Sequence, residues 1–328
     1  MTRPALLMAL LAFAFFLASL AVGASDLPVW HGLAALAGAG DDPLAATIMR
    51  DIRLPRALLG LSIGFSLGLG GAALQGFLRN PLAEPGLVGV SGAAALGAVA
   101  VFYTGLSAFG GFTVQLGALA GAAGAVVFLM GLAGRKASPM TLVLAGVALT
   151  SLTGALTALA LNLSPNPFAS YEIIFWLLGS LKDRALTDVA LALPLMAGGW
   201  VLLLASARAL DALSLGEDTA RSLGIHLPRT AAILVTGVAL SAGAGVAVAG
   251  TIGFVGLVVP HLLRPFTDER PSSLLLASGF GGAALLLAAD IAVRLMTTGR
   301  ELNVGVLTAL IGAPFFLWLV MSNRRVMT

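Results

Sequence analysis

The residues able to do chemistry are few and far apart. There are three histidines, His31, His226 and His261, and no cysteine. Thiol catalysis, disulfides and thiolate metal sites are therefore excluded. No two histidines stand at ligand spacing, so no metal site is expected. The two lysines, Lys136 and Lys182, follow Arg135 and Leu181. The phosphate-cradling loop that ends in Gly-Lys-Ser/Thr is thus missing, and the chain cannot hydrolyse ATP in that way. Asp290 and Arg294 sit at i,i+4 in an apolar stretch, a spacing that suits an ion pair near a helix end. No paired carboxylates, Ser/His pair or His-Glu-x-x-His motif offers a membrane-embedded hydrolase.

The elements that must hold these residues are hydrophobic. Of 328 residues, 59% are hydrophobic and 10% charged, against about 25% charged in soluble domains. Ten stretches approach the roughly 20 apolar residues of a membrane span: Ala5–Ala24, Leu54–Phe77, Leu87–Leu106, Val114–Ala133, Met140–Leu161, Leu186–Ala205, Thr230–Ala249, Ile252–Phe266, Ser273–Met296 and Val304–Met321. The eighth is short and carries Pro260. No soluble domain fits between them, so residues 1–328 read as one all-α polytopic transmembrane domain. The first stretch has a rival reading, a signal peptide cleaved after Val22-Gly23-Ala24, but its apolar run is long for that, and retention as a span is expected. An ion-coupled carrier would bury ionisable groups in mid-span; their scarcity makes that the weaker alternative.

Ten spans put both termini on one side. With the N-terminus inside, the cytoplasmic turns hold 11 of the 18 Lys and Arg, and the outside 7, as the positive-inside rule favours. The outer arginines cluster before span two and at the end of span nine. Net charge is +3 with no Lys/Arg run, so a nucleic-acid partner is not expected. Gly60, Gly64 and Gly68 share a helix face, as do Gly117 and Gly121, and predict close helix packing.

The segment 207–229 is the most informative loop. Glu217 to Leu223 reads as a short helix with acids in its first turn, where the dipole favours them, closed by Gly224 at the left-handed cap. It suits either a groove on a soluble partner or an ordinary capped loop.

Several motifs together resemble the FecCD-type permeases of ATP-binding-cassette (ABC) importers, which carry iron chelates, heme and cobalamin. They are Arg53-Leu54-Pro55-Arg56, Gly71-Ala72-Ala73-Leu74-Gln75, the run from Arg79-Asn80-Pro81-Leu82 to Gly92, Leu215-Gly216-Glu217 with Ala220 and Ser222-Leu223-Gly224, the stretch from Gly250 to Arg264, and Asp290, Arg294, Glu301-Leu302-Asn303-Val304-Gly305 and Gly312-Ala313-Pro314-Phe315-Phe316. The family's usual proline is Asn303 here. The likeness runs from about Arg50 to the end. It implies an inner-membrane homodimer of ten-helix subunits, two cytoplasmic ATPases that hold ATP and Mg, and a periplasmic substrate-binding protein, with no cofactor on this chain. It implies that Leu215, Gly216, Glu217, Ala220, Leu223 and Gly224 form the ATPase-coupling element. Arg53, Arg56 and Arg294 become docking arginines for acidic residues of the binding protein. At the turn after span two, Asn80 and Leu82 are expected to help close the inner mouth. Thr150, Ser151, Thr153 and Thr157 of span five are expected to line the path. The expected cargo is a ferric siderophore, with heme or cobalamin as alternatives.

Overall fold

A computed structural model of the protein describes residues 2–23, 28–36, 42–133, 138–164, 167–268, 270–296 and 302–323. Expectations resting on Ala24, Ser25, Arg135, Lys136, Arg300, Glu301, Arg324 or Arg325 lie outside the described residues. Among the described residues the regular structure is entirely helical. Fifteen α-helices follow in order: α1 (Arg3–Ala21), α2 (Val29–Leu36), α3 (Pro43–Thr47), α4 (Leu54–Leu78), α5 (Val90–Tyr103), α6 (Thr113–Ala133), α7 (Pro139–Asn162), α8 (Pro167–Leu177), α9 (Leu186–Ala205), α10 (Ala207–Ser214), α11 (Glu217–Ser222), α12 (Leu227–Ala249), α13 (Val255–Leu263), α14 (Pro271–Met296) and α15 (Val304–Asn323).

Seven apolar helical stretches are long enough to cross a bilayer and three more are shorter, at 90–103, 255–266 and 304–319. They fall one to one on the ten expected spans. Some bounds differ. The second span starts earlier, because α3 and a π-helical turn at Ile48–Arg53 run directly into α4. The third shrinks to the 14 residues of α5, because residues 80–89 are spent on tight turns. The eighth begins only at Val255 and ends in a 3₁₀ turn at Arg264–Phe266. Helix α8 was not expected; its 11 residues are too few for a span and carry Glu172 within an aromatic run.

Helix α4 is the hub. It packs against α14, α12, α13 and α9, and 18 of its 25 residues are buried. The glycine stripe explains how. A Cβ on Gly64 would meet the Gly282 carbonyl of α14, one on Gly68 the Ser278 carbonyl, and one on Gly71 the Gly256 carbonyl of α13. Glycine is a poor helix former in water. In hydrocarbon the backbone has no alternative partner, so the helix holds and the missing side chains admit a second backbone. Gly117 and Gly121 of α6 face Gly97 and Ala93 of α5 in the same way. Both stripes thus serve packing between helices of one chain.

Helices α1, α6, α7 and α9 bury only a minority of their apolar windows. They turn leucines and other large apolar side chains outward, such as Leu7, Leu116, Leu144 and Val201, as contact with acyl chains or another apolar helix requires. Helix α1 packs on α14 through Ala12 and so belongs to the bundle.

Capping fixes several helix starts. The Ser138 hydroxyl accepts from the Thr141 N–H at 3.2 Å, and Asp188 of α9 accepts from the Ala185 N–H at 3.0 Å. Asp188 also accepts from the Gln115 side chain of α6 at 3.1 Å, so one buried acid ties two spans. Replacing Gly68 by Leu should force α4 and α14 apart. About 1–3 kcal/mol of overpacking is expected, read as a lower melting temperature in detergent, whereas Gly124→Leu, which faces open space, should leave it unchanged.

Candidate functional site

Two polar regions interrupt the apolar bundle, one at each end. The first joins the C-terminal end of α1, the N-terminal end of α4 and the last turns of α14. Asp290 is 1% exposed and receives Arg56 Nη2 at 2.9 Å and Arg294 Nη2 at 3.0 Å. Arg56 Nε adds bonds to both carboxylate oxygens at 3.0 and 3.1 Å. Arg294 also donates to the Ser19 and Val22 carbonyls and to the Ser19 hydroxyl. Arg53, itself buried, donates to the Leu20 and Ala21 carbonyls at 2.9 and 3.1 Å. The last carbonyls of a helix have no partner within it. Here guanidinium groups supply those partners and lie favourably at the negative end of the α1 dipole.

The three arginines expected to dock a binding protein are internal ties in this conformation. Arg53, Arg56 and Arg294 carry the positive charge the sequence suggests, but the fold turns it onto Asp290 and α1. The i,i+4 pair of Asp290 and Arg294 forms as expected; Arg56, 234 positions away, was not foreseeable as its second partner.

The second region lies at the opposite end. Helices α10 and α11 and the turn between them build the segment expected to be a coupling loop. Gly216 has φ +107° and Gly224 φ +83°, a region where a side chain is strained, so both glycines are needed where they stand. Ala220 is fully buried, while Leu215 and Leu223 are 66% and 61% exposed. Two bare leucines flank a helix whose Asp218 faces solvent. Glu217 pairs with Arg221 at 3.3 Å and with Arg79 at 3.5 Å.

Arg79 ends α4 with φ +48°, and the chain then folds into the Asn80–Gly89 turns. The Asn80 side chain accepts from the Leu82 N–H at 2.9 Å, while the Ala83 N–H donates to the Asn80 carbonyl at 3.1 Å. Asn80 and Leu82 are each half-buried. Non-helical backbone at the edge of a bilayer survives where protein encloses it, and here Pro85 packs against Gly70 and Gly256. Glu84 accepts from the Phe254 N–H at 3.1 Å. Burial pushes the Glu84 carboxyl above its ordinary value, and the Phe254 N–H draws it back. At the loop before α9, burial lowers Arg184, while Asp188 and Asp183 raise it.

The span-five residues divide. Thr150 and Ser151 of α7 are exposed, and Thr157 is half-buried. Thr153 is 3% exposed, bonds the Leu149 carbonyl of its own helix and faces Gly92 of α5. It lies within the chain's own packing. Asn303, where the resembling family has proline, donates its side-chain amide to the Phe175 carbonyl of α8 at 3.4 Å. Among the described residues no cluster of histidine and acids could hold a metal.

A ten-element apolar bundle with ordered polar networks at both ends is the build of a multi-pass membrane permease, and known proteins place it more finely. A family model described as the FecCD transport family matches residues 10–322. The Fe(3+) dicitrate transport system permease protein FecD of Escherichia coli is 40% identical, over 84% of this chain and 86% of that protein. The cobalamin import system permease protein BtuC of Halobacterium salinarum is 42% identical, over 85% of this chain and 75% of that protein. A solved structure described as an inward-facing conformation of a putative metal-chelate type ABC transporter superposes with a TM-score of 0.85 at 28% identity, covering 97% of this chain and 98% of that one. The chain belongs to the FecCD family and is a permease subunit of the ABC importer type.

Replacing Asp290 by Asn should leave two buried guanidinium groups without their anion. A loss of about 3 kcal/mol is expected, measured as earlier thermal unfolding in detergent, with no dependence on any added binding protein.

Proposed function

We propose that the chain forms, with a second copy of itself, the passage through which an inner-membrane importer moves a metal chelate. A ferric siderophore is the favoured cargo, with cobalamin or heme as alternatives. The iron-chelate and cobalamin roles of the two relatives above support this class without dividing it. ATP and Mg are held by two separate cytoplasmic ATPases, and a periplasmic binding protein presents the cargo.

The observation that carries the reading is the segment 207–224. It offers a rigid, glycine-bounded helix with exposed Leu215 and Leu223 and an acid paired to the turn that follows α4. A helix of this kind seats in a groove on a soluble partner, and apolar anchors ringed by charge suit such contacts. Movement of the ATPases would carry α11 with it. Both termini then lie in the cytoplasm, as the distribution of basic residues favours. Asn80 and Leu82 stand at the inner mouth, and the exposed Thr150 and Ser151 line the passage beside α7. With Arg53, Arg56 and Arg294 held inside the fold, direct docking through them would require Asp290 and the α1 carbonyls to exchange partners.

Reconstitution tests the assignment. The chain should accumulate radiolabelled ferrichrome, ferric dicitrate, hemin or cyanocobalamin in liposomes only together with its ATPases, binding protein and ATP. Accumulation by the chain alone would overturn it. Gly216→Val should leave the protein in the membrane but cut uptake at least about tenfold, since the φ there disfavours any side chain; wild-type uptake would remove the coupling role.

A further inference from the structure

The turn after α4 is tied at both ends to distant parts of the chain, each time through an acid. At its start, Arg79 Nη2 meets Glu217 Oε1 of α11 at 3.5 Å. At its far side, Glu84 Oε2 accepts the Phe254 N–H at 3.1 Å, across 170 positions. Arg79 and Phe254 have left-handed backbones, with φ of +48° and +66°. Such values are uncommon outside glycine and persist where the surroundings hold them. Each of these two residues is bonded to one of the two acids.

The Phe254 end is tightly made. Phe254 precedes the first turn of α13, so Glu84 places an acidic group at that helix's positive end. Gly312 of α15 leaves room for the Phe254 side chain. Gln75, one turn before Arg79 on α4, donates to the Gly256 and Leu257 carbonyls at 3.3 and 3.4 Å and accepts from Arg264 at 3.1 Å. The end of α4, the turn and α13 are therefore bonded into one body, and Glu217 attaches that body to α11.

We propose that residues 79–86 are the transmission element of the transporter, with Arg79 and Glu84 as positioning residues that make the inner mouth move with the α11 helix. This rests on the importer reading above and adds the residues through which motion passes. A loose turn would let α11 move while Asn80 and Leu82 stayed behind. A turn fixed at Arg79 and at Glu84 must follow.

Two measurements on the assembled complex with its ATPases test this. The native chain has no cysteine, so spin labels can be placed at Pro81 and Leu223, or at Pro81 and Leu262. In the wild type each pair should keep a single distance in the nucleotide-free and ATP-trapped states; a shift between states would overturn the proposal without any variant having to fold. Arg79→Ala should broaden the first pair and Glu84→Ala the second, with Glu84→Gln, which keeps an acceptor oxygen, restoring a narrow distribution. The second readout is the amount of probe imported per ATP hydrolysed, using whichever of ferrichrome, ferric dicitrate, hemin and cyanocobalamin the wild type carries. Arg79→Ala and Glu217→Ala should each lower this ratio about threefold, as the loss of one part-exposed ion pair allows, and the double variant should be no worse than either. Additive losses, or an unchanged ratio, would overturn the link. Failure of the wild type to import any probe counts against the importer reading instead, and the label distances still decide the transmission element.

Discussion

A polar group within or beside hydrocarbon must be satisfied by the protein itself, and much of this structure follows from that constraint. Lipid offers no hydrogen bonds, and an unpaired group costs several kcal/mol. The long helices meet the demand for the backbone. Where the chain leaves the helix, as at residues 79–89, side chains and neighbouring helices take over. At the buried acid, charge is paired: Asp290 lies between Arg56 and Arg294, and the spare donors of Arg294 close the end of α1. The glycine contacts along α4 belong to the same logic, because a bundle with little hydrophobic drive between helices gains from close backbone approach.

This constraint also decides what was legible in the sequence. Apolar runs are long-range averages, so the ten spans and the all-helical class stood out. The glycines at 216 and 224 marked a bounded helix because their backbone demand is local. Partners separated by many residues left no such trace. Nothing in Arg56 announces Asp290, and nothing in Glu84 announces Phe254. Arginines near a membrane edge look the same in sequence whether they face water or fold inward, and only the position of the α1 carbonyls separates the two. Helix α8 escaped for another reason: 11 residues of mixed polar and aromatic character give too short a period to distinguish from a loop.

The two polar regions differ in what they permit. The Asp290 region is buried and multiply bonded, so it resists change and fixes the relation of α1, α4 and α14. The region around Glu217 is part-exposed and joined to the turn after α4 by the Arg79 ion pair, so helix and turn can be displaced together at modest cost. A permease driven from one side needs that asymmetry, with a firm frame at one end and a movable linkage at the other.

The buried cluster has an electrostatic consequence. Arg53, Arg56 and Arg294 against Asp290 leave a surplus of two positive charges, only partly offset by the partial charge at the end of α1. Hiding a side chain does not hide its potential. Inside a medium of low polarisability the field is weakly screened and emerges at the nearest surface. An acidic protein diffusing past that end would be drawn and oriented from a distance, at a rate that falls with ionic strength, although none of the three guanidinium groups need ever touch it.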